Sequence, residues 1–483
     1  MKKFYITTTL PYVNAPPHVG FALEIIQADV IARYHSNLGE EVFFNTGTDE
    51  HGLKVYKKAL EEKRDPQEYC DEYAAKFDLL KEKLNLSYNN FIRTTDEHHI
   101  KAAQEFWKRC ERNGDIYKKN YKTKYCVGCE LEKTESELIN GKCSFHPDRE
   151  IEIIEEKNYF FRFSKYQKPL LDFYDANLNF VIPQFRQKEI YNFVKSGLQD
   201  FSISRLKSKM PWGVPVPGDD DQVMYVWFDA LINYISCLGW PENQKKFEEF
   251  WGTKKNPNAI QVAGKDNLRQ QTAMWQAMLM SAGLPNSKQV FIHGFINLAG
   301  QKVSKSSEIS LPSPIELVDK YGIDATRYYL LREIPAYEDG DFSIKRFEER
   351  YNSDLANGLG NLVARVLTLT NKNKVKSNKP EKKNVKIVGE IKEKRNKFIE
   401  EFRFNEALEE IWRFISFCDK YINDNKPWEL TKLDKKKLEQ VLSNLLYCLS
   451  EITDLIAPFL PRTSEKIKEQ IKAGKTEILF PRI

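Results

Sequence analysis

A chain of 483 residues is too long for one ordinary core, and at about 150 residues per domain it implies two to four domains. The net charge of +5, from 74 Lys and Arg against 69 Asp and Glu, is compatible with an RNA partner without demanding one. The opening Met1-Lys2-Lys3-Phe4-Tyr5-Ile6-Thr7 lacks the apolar stretch of a signal peptide, and no run approaches the roughly 18 apolar residues of a membrane span. These features exclude a secreted or membrane protein and point to a soluble, cytoplasmic one.

Phe4 to Thr9 is aromatic and β-branched, which predicts a strand. Pro11, Pro16 and Pro17 force a loop after it. Val19, Leu23, Ile26, Val30 and Tyr34 carry helical spacing, and Leu38-Gly39 closes that helix. Val42 to Asn45 predicts a second strand, followed by the loop Thr46-Gly47-Thr48-Asp49-Glu50-His51-Gly52. Thr94 and Glu97 read as a capping box for a helix over 97–112. This alternation predicts a doubly wound parallel sheet of the α/β class.

Residues 116–210 break the rhythm and read as an insertion. Strand candidates resume at Met224 to Phe228, Ala259 to Ala263 and Val290 to His293, with a helix from Leu268 to Ala282. From about residue 350 the pattern is helical. Leu438, Leu442, Leu445, Leu449, Ile452 and Ile456 form one apolar face. Residues 371–397 are rich in Lys and Asn and read as a solvated connection.

Two short motifs carry the chemistry. Pro16-Pro17-His18-Val19-Gly20-Phe21 opens the first helix, where unpaired N–H groups and the dipole suit phosphate. Gly20 permits close approach, and His18 can donate to a phosphate oxygen as charge builds. Lys302-Val303-Ser304-Lys305-Ser306 follows Gly300, and two ammonium groups on such a loop can neutralise a leaving pyrophosphate. Each motif alone also fits a bland reading, a capping histidine or a charged surface loop. Gly264-Lys265-Asp266 ends a predicted strand, where a carboxylate commonly holds ribose hydroxyls.

Three of the eight cysteines cluster. Cys126-Val-Gly-Cys129 and Cys143-Ser-Phe-His146 give two knuckles of four soft donors, a set that suits zinc. Four protein ligands close the site, so the metal is structural. Tyr225 to Tyr234 crowds aromatics at a strand end leading into a helix, Leu10 and Tyr12 flank the first motif, and Asp49 supplies one acid. An apolar pocket with one carboxylate fits a hydrophobic amino acid held by its ammonium.

The two ATP-handling motifs in this order resemble those of class I aminoacyl-tRNA synthetases. The chain is similar over its length to the methionyl-tRNA synthetase family. The resembling segments are Leu10 to Gly20, Gly47 to Gly52, the Cys/His knuckle, Trp212 to Pro217, Tyr225 to Ala230, Gly264-Lys265-Asp266, His293-Gly294-Phe295, Lys302 to Ser306, Leu355 to Arg365 and Lys426-Pro427-Trp428. The resemblance implies a Rossmann-like doubly wound sheet with a zinc-knuckle insertion, then an all-α anticodon-binding bundle. The division it implies is 1–115 and 211–299 for the two catalytic halves and 116–210 for the insertion. Residues 300–350 then form the lysine loop and stem-contact region, and 351–483 the anticodon-binding domain.

The family further implies that methionine is activated with ATP and Mg²⁺ and then moved to tRNA(Met). His18, Gly20, Lys302 and Lys305 would be catalytic. Gly264 and Asp266 would join His18, Gly20 and Lys305 in holding ATP. Asp49 would bind the methionine ammonium, and Leu10, Tyr12, Trp227, Ala230, Leu231, Tyr234 and His293 would line the side-chain pocket, with Tyr234 near the sulfur. Asn357, Asn361, Arg365 and Trp428 would read the anticodon.

Three departures stand out. Phe21 replaces a usual second histidine, Val303 a usual methionine, and Gln270-Gln271 occupies the place where a histidine near 271 is common. The chain stops at Ile483 without the C-terminal extension of many relatives, which implies a monomer. Three alternatives follow: a synthetase for leucine, isoleucine, valine or cysteine; a catalysis-deficient RNA-binding paralogue, suggested by Phe21; and a small-molecule nucleotidyltransferase.

Overall fold

The structure is a computed structural model, and it describes residues 1–129, 131–133, 137–298, 301–302, 312–375 and 379–483. The chain divides into two compact units. The first holds Met1–Pro17, Glu40–Leu79 and Tyr88–Ile292; the second holds His18–Gly39, Leu80–Ser87 and His293–Ile483.

A six-stranded parallel sheet organises the first unit. Its order is Asn90–Arg93, Glu41–Thr48, Lys3–Thr8, Ala259–Gly264, Gln289–His293 and Val181–Ile182. Lys3–Thr8 pairs in parallel with Glu41–Thr48 on one side and Ala259–Gly264 on the other. Phe4, Tyr5, Ile6, Thr7 and Thr8 are all buried, as a strand central to a covered sheet requires. The second strand runs to Thr48, past the predicted end at Asn45. Gly47 makes that extension possible: a Cβ there would lie 1.8 Å from the Ile92 carbonyl oxygen.

The insertion is built on a long antiparallel hairpin. Ile116–Cys126 pairs with Glu152–Phe161 in register from Ile116 opposite Phe161 to Tyr125 opposite Glu152. The hairpin's far end therefore delivers Cys126 to the cysteine cluster.

Two predicted elements differ in the first unit. The helix Glu97–Arg112 is capped at Asp96 without a side-chain bond, and the Thr94 hydroxyl instead accepts from the Glu50 N–H at 2.9 Å. Thr94 is fully buried, so a tertiary donor displaced the local cap. The run Met224 to Phe228 is not a strand throughout. Asp219–Met224 is a strand, and Val226–Ala230 is a short helix capped by Tyr225. The turn brings Asp229 inward to two imidazoles, a gain that β-propensity does not count.

The second unit is mainly helical. Val19–Asn37 belongs to it, buried on nearly all sides. Pro314–Tyr321 carries a complete capping box between Ser313 and Glu316. A π-helical segment, Tyr351–Gly360, runs into Asn361–Lys372. Phe404–Asn425, Lys435–Ile456 and Pro461–Ala473 follow, and the predicted leucine face of Lys435–Ile456 is buried. The expected solvated connection at 371–397 is mostly the helix Lys382–Glu400, with Val388, Arg395 and Ile399 buried. Its apolar stripe at helical spacing was masked by the lysines between.

One buried ion pair fastens this unit. Asp29 and Arg327 meet at 2.7 Å with both side chains fully buried. Arg327 also donates to the carbonyls of Phe459, Pro458 and Leu84, at 2.8, 3.1 and 3.2 Å. Asp29 accepts from Arg33, the Ser87 N–H and the Ser87 hydroxyl. Burial pushes the Asp29 carboxyl up, but Arg327 and Arg33 outweigh it and hold it below its usual value. Both Asp29 oxygens and all three Arg327 nitrogens have partners, the condition under which such a pair is tolerated. Arg327→Met takes one of the two guanidinium partners from the buried Asp29 carboxylate and strands three carbonyls. We expect it to destabilise the fold by about 3–5 kcal/mol, read as a lower midpoint in denaturant unfolding.

Candidate active site and metal centre

The candidate amino-acid site lies in the first unit. Beyond the strand Lys3–Thr8 the backbone continues beside the segment after Glu41–Thr48. Tyr12 and Asp49 form a parallel bridge, with the Asp49 N–H donating to the Pro11 carbonyl at 3.0 Å. Tyr12 meets Trp227 edge-on, with ring centroids 6.4 Å apart. Tyr12, Trp227 and Ala230 share one apolar cluster with Tyr225, Val226 and Leu53. A cavity of about 220 Å³ opens among Gly52, Leu53, Tyr125, Arg205, Tyr225 and Val226. Leu10, Leu231 and Tyr234 pack instead in the larger core cluster. The seven pocket candidates are thus divided. Six lie in the first unit, and His293 lies in the second.

Asp49 sits in a loop held rigidly from both sides. Its neighbour Glu50 is buried and takes a bidentate fork from Arg93, at 2.6 and 2.9 Å, with a further bond from the Thr48 hydroxyl at 2.7 Å. The Glu50 carbonyl accepts from Trp212 Nε1 at 2.7 Å. On the other side His51 Nδ1 lies 2.6 Å from Asp229 Oδ2. His99 Nε2 lies 2.8 Å from the other oxygen, and His99 Nδ1 is 2.9 Å from Ser236 Oγ.

Asp229 is fully buried. Burial raises its carboxyl, but the charge and hydrogen bonds of His51 and His99 prevail and hold it at about 2. The carboxylate therefore ties the Asp49 loop to the helix bearing Trp227 and Ala230. Through His99 and Ser236 it reaches the next helix, Asn233–Ser236, which bears Tyr234. Sequence reading quoted His51 and Asp229 within motifs but gave them no role, and it passed over His99 and Ser236. Asp229, His99 and Ser236, polar residues in otherwise apolar or helical runs, were the available signal.

The phosphate motifs fall mainly in the second unit. His18 is the N-cap of Val19–Asn37, and its Nδ1 accepts from the Gly20 N–H at 3.1 Å. An accepting Nδ1 places the proton of the neutral ring on Nε2, so the capping role and a donor role coexist in one tautomer. Gly20 is needed for the imidazole itself, since a Cβ there would lie 2.9 Å from His18 Cε1. The backbone of Lys302 ends the short strand Gln301–Lys302, antiparallel to Ile296–Leu298. Lys305 and Gly300 lie outside the described residues, as does the remainder of the lysine motif. Gly264 ends its strand in the first unit, followed by an exposed Asp266. His293 Nε2 lies 3.0 Å from Glu24 Oε2, and its Nδ1 donates to the Gly294 carbonyl at 2.6 Å.

Cys126, Cys129, Cys143 and His146 converge, with their ligand atoms all within 4.8 Å of one another. Cys129 Sγ is 3.4 Å from Cys143 Sγ and 3.2 Å from His146 Nδ1. Tetrahedral zinc with bonds of about 2.0–2.3 Å requires ligand atoms roughly 3.5–3.8 Å apart, so this donor set fits a metal of that size. A hydrogen bond from Cys129 holds the Cys126 thiol below its usual value against the effect of burial, and Cys129 is pushed up in return.

In the second unit, Asn357 is exposed on the π-helical segment, and its Oδ1 accepts from Arg482 Nε at 3.0 Å. Asn361 is exposed at the start of the next helix. Arg365 is held by Asp419 at 3.0 Å and Asn423 at 2.8 Å. Trp428 is half exposed in the first turn of Pro427–Leu433. A parallel six-stranded sheet, a four-donor knuckle and a helical C-terminal region are the parts that the resemblance to class I aminoacyl-tRNA synthetases implies.

Comparison with known proteins makes the assignment specific. The family model of class I tRNA synthetases (M) matches residues 4–146 and 128–367, and that of the anticodon-binding domain of tRNA ligase matches 359–481. Methionine–tRNA ligase of Thermotoga maritima is 43% identical over 480 residues, covering 97% of this chain and 75% of that protein. The Nostoc enzyme of the same name is 41% identical over 483 residues, covering 98% and 90%. The structure of Mycobacterium tuberculosis methionyl-tRNA synthetase in complex with methionyl-adenylate superposes with a TM-score of 0.91 at 35% identity, covering 100% of this chain and 99% of that one. The chain belongs to the methionyl-tRNA synthetase family. Among the described residues, no helix is long and apolar enough to cross a membrane.

The buried Asp229 gives a pH signature. Its folded value of about 2 lies below the usual 3.8, so its stabilisation is present above pH 3.8 and is lost as pH falls toward 2. That shift corresponds to about 2 kcal/mol. Asp229→Asn should be less stable than wild type at neutral pH, and the two unfolding midpoints should converge as pH falls from about 4 to about 2.

Proposed function

We propose that the chain joins methionine to ATP as methionyl-adenylate and then passes the methionyl group to the 3′ end of tRNA(Met). The observation that carries this reading is the adjacency of Asp49, Tyr12 and Trp227. A carboxylate beside an aromatic slot is what a free amino acid with an apolar side chain requires. Asp49 holds the ammonium, while Leu10, Tyr12, Trp227, Ala230, Leu231, Tyr234 and His293 surround the side chain. The Tyr234 hydroxyl contacts the sulfur.

In the first step a methionine carboxylate oxygen bonds to the α-phosphorus, and the bond from that phosphorus to the bridging oxygen breaks, releasing pyrophosphate. His18 donates through Nε2–H to the phosphate as charge builds. Gly20 keeps that imidazole in place, and Lys302 and Lys305 neutralise the leaving pyrophosphate, which carries its Mg²⁺. Gly264 and Asp266 hold the ribose. In the second step a terminal ribose hydroxyl of the tRNA attacks the carbonyl carbon and AMP leaves.

Cys126, Cys129, Cys143 and His146 hold a structural zinc, which supplies stability to the tip of the insertion hairpin. Asn357, Asn361, Arg365 and Trp428 read the CAU anticodon, with Trp428 as a stacking platform. The catalysis-deficient alternative has no support, because the relatives matched over the whole chain are named as ligases. Phe21 is buried at 8% exposure, so it serves the core of its unit.

ATP–pyrophosphate exchange with each amino acid in turn tests this reading. Exchange with methionine alone is expected. His18→Ala should lower kcat by about 10²–10³-fold, the loss typical of one donor to a developing charge. Exchange that ignores methionine, or a His18→Ala enzyme with full kcat, would contradict the assignment.

A further inference from the structure

Lys54 stands in the first turn of the helix Leu53–Glu61, directly after the Asp49 loop. A cation there opposes the helix dipole, so the helix itself does not favour it. Its partners come from elsewhere in the first unit. The Lys54 ammonium lies over the Tyr12 ring, 5.3 Å from the centroid, and donates to the Gly128 carbonyl at 3.2 Å. An ammonium carries donors only, so the direction of that bond is fixed.

Gly128 belongs to the turn Cys126-Val127-Gly128-Cys129, which supplies two of the four knuckle donors. The same turn reaches the candidate amino-acid site a second way. Val127 is buried in the apolar cluster of Tyr125, Tyr225, Val226 and Ala230, against which Tyr12 and Trp227 pack. The turn has little freedom at Gly128, where a Cβ would lie 2.5 Å from His146 Cγ. The backbone whose carbonyl receives Lys54 therefore lies against the imidazole of a knuckle donor. One turn further along the helix, Lys57 pairs at 3.0 Å with Glu152, the residue opposite Tyr125 in the hairpin. That pair is exposed and aligns the helix with the hairpin more than it strengthens the contact.

We propose that Lys54 is a positioning residue for methionine, fastening the Tyr12 wall of the pocket to the knuckle turn so that zinc binding there tightens the methionine site. This rests on the proposed placement of methionine beside Tyr12 and of zinc on Cys126, Cys129, Cys143 and His146. With zinc bound, Cys126 and Cys129 are fixed, and so is the Gly128 carbonyl between them. That carbonyl holds the Lys54 ammonium, which holds the Tyr12 ring by its attraction to the ring face. A wall already in place need not be ordered by the incoming amino acid. Without metal the carbonyl is released and the wall loses this anchor, while the Asp49 loop keeps its own tether through His51. The loss therefore falls on methionine, and the residues proposed to hold ATP lie on other segments.

The test is calorimetric titration of L-methionine into the full, zinc-loaded chain and into Lys54→Met, with KM for methionine and for ATP read by pyrophosphate exchange. The substitution keeps the apolar stem and removes the charge and the donors. The dissociation constant and KM for methionine should rise about three- to tenfold, the range of one hydrogen bond with a cation–π contact, with KM for ATP unmoved and zinc content unchanged. Lys54→Arg keeps a cation able to stack and donate, and should recover most of the affinity. Stripping zinc from the wild type should weaken methionine by a similar factor, and stripping it from Lys54→Met should add little. Should the stripped chain unfold, cobalt in place of zinc decides the matter. Saturating methionine should then shift the thiolate–cobalt absorption in the wild type and leave it unmoved in Lys54→Met. Unchanged methionine affinity in folded Lys54→Met overturns the proposal and leaves the methionine site standing. Parallel losses for methionine and ATP reduce Lys54 to a structural part and also overturn it. Zinc removal that weakens methionine as much in Lys54→Met as in the wild type, or a cobalt spectrum that ignores methionine in both, places any coupling elsewhere and overturns it too. A folded wild-type chain that binds no methionine overturns the underlying reading itself.

Discussion

The Asp229 carboxylate is the constraint on which the candidate amino-acid site depends. Both its oxygens are engaged by imidazoles, from His51 and from His99. A buried charge of this kind is tolerated only where its lone pairs are satisfied, so the segments that bring the imidazoles cannot drift. The loop carrying Asp49 and the short helix carrying Trp227 and Ala230 are in that way held at one spacing. On the reading proposed here, that spacing separates the group that holds the ammonium of methionine from the groups that surround its side chain. Flexible loops alone would leave a pocket of the right composition and the wrong dimensions.

The same economy recurs in the second unit. Asp29 lies on the helix that opens at His18, and its partner Arg327 binds the carbonyls after the helix Lys435–Ile456. A single guanidinium thus ties the phosphate-motif helix to the helical region matched by the anticodon-binding family. Guanidinium suits this role because its planar fork serves a carboxylate and several carbonyls at once. Polar groups at the centres of both units set position, and the apolar residues around them supply the driving force.

Much of this was legible in the chain. The sheet strands at Phe4, Ala259 and Val290 were visible because β-branched and aromatic residues ran together. The cysteine knuckle was visible because its spacing is tied to a coordination geometry. What remained hidden was set by distant partners. Thr94 abandoned a local cap for the Glu50 amide. The run after Met224 turned into a helix to serve Asp229. The helix Lys382–Glu400 was concealed by composition, since lysine dominated its exposed faces. Gln271 looked like a bare departure from a family histidine, and only the positions of Gln261 and Tyr234 reveal the buried hydrogen bonds it makes.

The claim that Asp229 sets the pocket is tested most directly by calorimetric titration of L-methionine into Asp229→Asn at neutral pH, with the variant shown to be folded. The amide can accept from one imidazole but only donate to the other, and it carries no charge, so the charge-assisted tether of the Asp49 loop is weakened. The account predicts methionine affinity lower by about tenfold or more, equivalent to roughly 1.4 kcal/mol. Unchanged affinity in the folded variant would contradict it, and would place the dimensions of the pocket in the surrounding apolar packing instead.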